Sequence, residues 1–210
     1  STLDRSSAAS DVYKRQEYLL KIDKEILLWI NGHHTDFLDQ VMWFASGKLS
    51  WVPFYLAILI VLILKYKKQS WWMIILILPL ITVSDQLAAS IIRPIFERLR
   101  PSHTEGLQNI LHYVNGYTGG QYGFVSAHTL NVFSLATYLS KTTSKNLRWL
   151  PYVLFPWAFF VSYSRIYLGV HYPTDVIVPI FLGFLNGLLF FWIFRKMKPL
   201  IFRDSNIHNR

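Results

Sequence analysis

Cysteine is absent from the 210 residues. That excludes structural disulfides, thiolate metal sites and a cysteine nucleophile, and leaves His, Ser, Arg and carboxylates to carry any chemistry. Charge is scarce too: charged residues make up 16% of the chain, and Asp and Glu are the scarcer sign, 12 against 21 Lys and Arg. No internal repeat, heptad run or low-complexity tract stands out, which removes solenoids, coiled coils and compositional linkers as organising principles. Ser1 to Gln16 are polar, rich in Ser and Ala, and lack the apolar core of a signal peptide. They are expected to form a disordered or cloning-derived leader outside the fold.

What the chain has in abundance is apolar surface: 52% of residues are hydrophobic, with 8 Trp, 12 Tyr and 15 Phe. This length supports one domain, and this composition points to lipid as its solvent. Segments 71–92, 125–140, 149–168 and 175–194 each approach the roughly 20 apolar residues that a bilayer core requires. A fifth, Leu49 to Tyr66, is shorter, with Trp51 at one end and Lys65, Lys67 and Lys68 at the other, flanks suited to two interfaces. Between residues 17 and 47 the apolar positions are interrupted by Lys21, Asp23, Lys24 and Glu25, which favours interfacial amphipathic helices over a sixth span. The expected fold is therefore all-α: an integral membrane helical bundle of about five transmembrane helices, six at most, with amphipathic helices at 17–47, a membrane domain at 48–198 and a cytoplasmic tail at 199–210.

The formal charge of +9 is explained by where the cations fall. Lys65, Lys67, Lys68, Lys141, Lys145, Arg148, Arg195, Lys196, Lys198, Arg203 and Arg210 all share one side if the spans alternate, and the positive-inside rule makes that side cytoplasmic. Nucleic acid loses its main support as a partner. The opposite, outer side receives three polar clusters at span ends, where ionisable groups are costly unless paired or facing a cavity.

In the first cluster, Arg93, Arg98 and Arg100 border Pro94 and Pro101, and the prolines predict that the span ends near Arg93. Guanidinium groups offer phosphate a planar fork of donors, although these three, taken alone, also fit snorkelling to lipid headgroups. In the second, Ser126 is a natural N-cap, and the free amides of Ala127, His128 and Thr129 form an anion site at a helix start, with His128 in reach as a proton donor. In the third, Ser164-Arg165 is followed by His171 and, one turn into a helix opened by Pro173, by Asp175. A carboxylate on one imidazole nitrogen fixes the tautomer and frees the other nitrogen to attack. A long Gly-rich connection, Ser102 to Gly123, has the length of a functional lid or of a plain mobile loop.

Arg93-x6-Arg100-Pro101, Val125-Ser126-Ala127-His128 and Ser164-Arg165-x5-His171-x3-Asp175 together resemble the three-part signature of the type 2 phosphatidic acid phosphatase superfamily, over roughly residues 50–195. The third part matches fully. Arg93 stands where the family usually has Lys, and Val125 and Ala127 stand at its usual Pro and Gly positions, so reach and pocket shape differ while charge and the amide are retained. The resemblance implies a metal-independent lipid phosphatase that needs no cofactor. His171 would attack phosphorus, Asp175 would orient it, and His128 would protonate the leaving oxygen. Arg93, Arg100, Arg165, Ser126 and the Ala127 amide would hold the phosphoryl oxygens. It further implies a bacterial inner-membrane location with the site on the periplasmic side, and a lipid phosphate as the partner with no obligate protein partner. Undecaprenyl diphosphate is the expected substrate, with lipid A next and phosphatidylglycerol phosphate or phosphatidic acid as further alternatives.

Two other classes compete. An anion channel or transporter would account for Asp85 in the middle of a span, but the remaining ionisable groups gather at one face. A metallohydrolase of His103, His112, His128, His171 and Asp175 lacks the tight His spacing on one helix that metal sites often use.

Overall fold

The computed structural model describes residues 2–201, with side chains from 14 to 199, and these residues form helices, turns and loops without a strand. α1 (Thr2–Gly32) and α2 (Asp36–Ser46) lead into α3 (Val52–Tyr66). Segment 2–16, expected as a leader, continues α1 toward the N-terminus, while Ser1 and residues 202–210 lie outside the described residues. Thr35 caps α2, its hydroxyl accepting the Leu38 N–H at 3.2 Å, with Asp36 and Asp39 in the first turn where the helix dipole favours them.

At Lys67 the backbone turns through φ 49° into a continuous helix over Lys68–Phe96. It comprises α4 (Lys68–Ile75), α5 (Ile77–Gln86), a π-helical turn (Leu87–Ile92) and α6 (Arg93–Phe96). The sequence placed its end near Arg93; instead it runs to Phe96 and is stopped by Glu97 in the left-handed region, φ 41°. The wide turn is the reason. Pro94 removes a hydrogen-bond donor and crowds the preceding turn, and the π turn, in which the Arg93 N–H reaches back five residues to the Ala88 carbonyl, makes room for it.

α7 (Ala127–Thr143), α8 (Leu150–Tyr167) and α9 (Pro173–Ile201) complete the bundle. α7 lies at its centre and packs most extensively on α9, then on α8 and α5. Gly183 and Gly187 make the α7–α9 approach possible: a Cβ on Gly187 would stand 2.6 Å from the Thr137 Cβ and 2.7 Å from the Ser134 carbonyl. Small residues four apart are how membrane helices achieve such contact. Beside them Asn186 Nδ2 reaches Ser84 Oγ at 2.9 Å and Ser134 Oγ at 3.1 Å, a buried polar link among α5, α7 and α9. Around it lie Met73, Leu80, Phe133, Tyr138, Leu139 and Leu154.

Large apolar side chains face outward on several helices, including Ile60 and Leu64 on α3, Leu78 on α5, Phe159 on α8 and Phe181 and Leu185 on α9. A belt of this extent marks a lipid-facing surface. By length and composition, Lys68–Phe96 and Pro173–Pro199 are each long and apolar enough to cross a bilayer. Residues 17–47 fold as the rest of α1 and α2, which cover the Tyr167 end of α8, with Leu27, Ile30 and Met42 buried against Leu107, Leu111 and Tyr167.

Candidate active site

The two ends of the signature meet where the loop after α6, the start of α7 and the α8–α9 turn converge. His171 lies in that turn, 1% exposed, and Asp175 in the first turns of α9 is fully buried. The Ser126 amide donates to the Asp175 carbonyl at 2.9 Å, tying the α7 start to the α9 start. Ser126 itself is fully buried, its Oγ turned to the Thr129 N–H at 3.5 Å, so it caps the helix and does not face the cavity below.

Asp175 does not clasp His171 as the sequence suggested. Its Oδ2 lies 3.5 Å from His171 Nδ1, outside a normal hydrogen bond, and instead accepts the Tyr172 N–H at 3.0 Å, while Oδ1 accepts from Arg98 Nη1 at 2.8 Å. Catalytic contacts are commonly long before substrate binds. On the other side of the imidazole, Arg100 Nη1 stands 3.2 Å from His171 Nε2. A guanidinium only donates, so Nε2 accepts and the ring proton sits on Nδ1, facing Asp175. Nε2 is thus the unprotonated nitrogen, and its lone pair accepts from Arg100. Burial, then Arg100, Arg165 and Arg93, hold His171 well below the ordinary imidazole value of 6.5, which keeps it neutral.

Arg100 is itself anchored by Nε to the Tyr122 carbonyl at 3.1 Å and by Nη1 to the Val170 carbonyl at 3.3 Å. The Gly-rich segment 102–123 closes over it. A Cβ on Gly119, whose φ is +69°, would come within 2.8 Å of Arg100 Nη1, so this backbone needs glycine on two counts. Burial, then the neighbouring Arg165 and Arg93, pull the Arg100 guanidinium down to about 10. Three cations crowd a site with too little negative charge near them, and an anion would relieve that repulsion. Arg165, 2% exposed, donates to Ser46 Oγ on α2 and to the Tyr117 hydroxyl at 3.1 Å.

A cavity of about 680 Å³ opens beside this cluster. Arg93, Arg100, Arg165, Ala127 and His128 line its outer end, with Lys48 and Tyr117. His171 lies just behind that wall, reached through Arg100. The structure therefore gathers Arg93, Arg100, Arg165, Ala127 and His128 on one cavity, sets His171 and Asp175 behind it, and leaves Ser126 as a cap.

Four contributors escaped sequence reasoning. Ser46 and Tyr117 reach Arg165 from α2 and from the Gly-rich segment. Arg98 was legible only as one more cation of a cluster, yet its Nη2 binds Asp23 of α1 at 2.6 Å while Nη1 binds Asp175, and it lies 4.1 Å over the Tyr172 ring. Asp23 Oδ1 in turn accepts the Thr174 N–H at 2.9 Å, so a carboxylate from the first helix caps the last. The signal available was Asp23 itself, an acid on an otherwise apolar helix face, with nothing to say where it goes.

Comparison with known proteins gives the family. Residues 75–199 match the PAP2 superfamily. The chain is 38% identical over 193 residues to the lipid A 4'-phosphatase of Bacteroides thetaiotaomicron, covering 91% of this chain and 85% of that one. It is 36% identical over 173 residues to the lipid A 4'-phosphatase of Porphyromonas gingivalis, covering 81% and 72%. Among solved structures, Aquifex aeolicus LpxE superposes with a TM-score of 0.57 at 26% identity, covering 79% of this chain and 92% of that one. A transmembrane PAP2 type phosphatidylglycerolphosphate phosphatase from Bacillus subtilis superposes with a TM-score of 0.63 at 20% identity, covering 90% of each, and shows the shared fold. On its sequence, its fold and the meeting of its three motifs at one cavity, the chain belongs to the PAP2 superfamily.

Proposed function

We propose that this membrane protein hydrolyses the phosphate ester of a lipid through a phosphohistidine on His171. The observation that carries this is the neutral imidazole whose unprotonated Nε2 accepts from Arg100, with Arg93 and Arg165 on the adjoining cavity. His171 Nε2 attacks phosphorus as the bond to the lipid oxygen breaks. The developing charge is taken up by Arg93, Arg100, Arg165 and the Ala127 amide, and His128 gives its proton to the departing oxygen. Asp175 stabilises the imidazolium through Nδ1. Water, deprotonated by His128, then attacks the phosphohistidine, releases inorganic phosphate and restores both histidines.

The substrate favoured is lipid A. Undecaprenyl diphosphate, expected from the sequence, has weaker support, because two relatives matched over most of their length carry lipid A 4'-phosphatase in their names. We further assign five spans, α3, the Lys68–Phe96 helix, α7, α8 and α9, with the basic connections on the cytoplasmic side and the site at the outer face. Phosphate release by the detergent-purified protein from lipid A, undecaprenyl diphosphate and phosphatidic acid, with and without chelator, tests this. His171→Ala should abolish release, by about a thousandfold or more, without lowering thermal stability. Turnover that survives the substitution removes His171 as nucleophile, and release sensitive to chelator removes the metal-independent mechanism.

A further inference from the structure

Ile77, Ile81, Asp85, Ala89 and Arg93 recur every four residues along the Lys68–Phe96 helix, and all five line the cavity. Four α-helical residues overshoot one turn, so the stripe would drift round the helix; the wider π turn at Leu87–Ile92 offsets the drift and keeps Arg93 above Asp85. Across the cavity, His128, Asn131 and Leu135 form the matching stripe on α7. The groove is thus graded with depth: cations and His128 at the outer end, Asp85 and Asn131 below them, and Ile81, Ile77 and Leu135 at the bottom. Asp85 thus lies two turns below Arg93 on the same face of the helix.

A carboxylate at this depth is costly unless partnered. Among the described residues, Asp85 makes one hydrogen bond, accepting from Asn131 Nδ2 at 2.9 Å. Asn131 Oδ1 is buried without a partner. Arg93, the nearest cation along the stripe, directs Nη2 to the Val125 carbonyl at 3.4 Å instead. Asp85, exposed on the groove and held by the Asn131 amide, therefore presents its remaining acceptor capacity to whatever fills the groove.

We propose that Asp85, held in place by Asn131, forms a subsite for hydrogen-bond donors, hydroxyl or amide N–H, carried by the body of the lipid below its phosphate. The subsite rests on the phosphatase reading for the orientation of its ligand. Its chemistry separates substrate classes. An acylated amino-sugar phosphate brings hydroxyl and amide donors to this depth. A polyprenyl or diacylglycerol phosphate brings only hydrocarbon and ester carbonyls, and on expelling water from the groove would leave the carboxylate unpaired. Sites built to bond a donor reject analogues that lack it far more strongly than apolar pockets reject a methylene.

The test is equilibrium binding of lipid A and of dioleoyl phosphatidic acid to the His171→Ala protein, which retains lipid without turnover, compared with His171→Ala carrying Asp85→Ala or Asn131→Ala. The expected result is a loss of lipid A affinity relative to phosphatidic acid of roughly tenfold, the scale of one bond to a charged group. Asn131→Ala, which leaves the charge in place, should shift the ratio the same way if Asp85→Ala fails to fold. Equal losses for both lipids would make Asp85 a mere counter-charge to Arg93 and overturn the subsite, as would no change in either affinity. Selective binding without phosphate release by the wild-type protein would overturn the phosphatase reading and leave the subsite standing.

Discussion

The two ends of the bundle are held together in opposite ways. Around the middle of α7, Phe133, Tyr138, Leu139, Leu154 and Phe190 pack as an apolar cluster, and one small network of Asn186, Ser84 and Ser134 supplies the polar contacts. At the outer end the links are charged and reach far along the chain: Asp23 to Arg98, Arg98 to Asp175, Arg165 to Ser46. In hydrocarbon, packing and small residues bring helices together because lipid offers no hydrophobic drive between them. At the outer end, cations that receive an anion must be preorganised before it arrives, and that requires fixed partners. The same fold thus places its adaptable packing deep and its rigid electrostatics at the surface where chemistry occurs.

Breaking one of the charged links should have the largest effect. Arg98→Ala strips the cationic partner from Asp23 and Asp175, both buried. Removing one member of such a pair costs about 3–5 kcal/mol, so the variant should melt well below the wild type in detergent and release phosphate far more slowly. A melting temperature within a degree of wild type would show that the outer end is not held as described. A smaller loss is expected in the deep half. Gly187→Leu forces a side chain into the 2.6 Å gap against Thr137, an overpacking of about 1–3 kcal/mol, and thermal unfolding should show it while the pH profile of the remaining activity stays that of wild type. A shifted profile would mean that the two ends are coupled.

The smallest effect is the sharpest for the site. His171 is held well below 6.5 by burial and its neighbouring arginines, so the acid limb of kcat/KM assigned to this group should fall below pH 6.5. The sign for stability follows from the same shift. Below the unfolded imidazole value, about 6.5, the unfolded chain binds the proton that the folded chain refuses, so stability is present above that pH and declines as pH falls through it. An acid limb at or above the ordinary value would mean that His171 is solvated or paired differently.

The helices were legible because apolar runs of spanning length have few alternatives, and the superfamily was legible because three motifs occur in a fixed order and spacing. Boundaries were less so. Pro94 read as a stop because a proline normally ends an α-helix, and a π turn removed the conflict. Gly183 and Gly187 are unremarkable in an apolar stretch until Thr137 lies against them.

The sequence by itself determined that this is an all-helical membrane chain of the PAP2 superfamily, and it named His171, His128, Asp175 and the arginines as the candidate site residues. Only the tertiary structure decided that Asp175 answers to Arg98 and Tyr172 more closely than to His171, that Ser126 is a cap, and that Asp85 opens on the cavity opposite Asn131. Spacing along the chain records which residues share a turn or a face. It carries no record of which of several like charges will meet a carboxylate 75 residues away, since that depends on how helices far apart in sequence are packed.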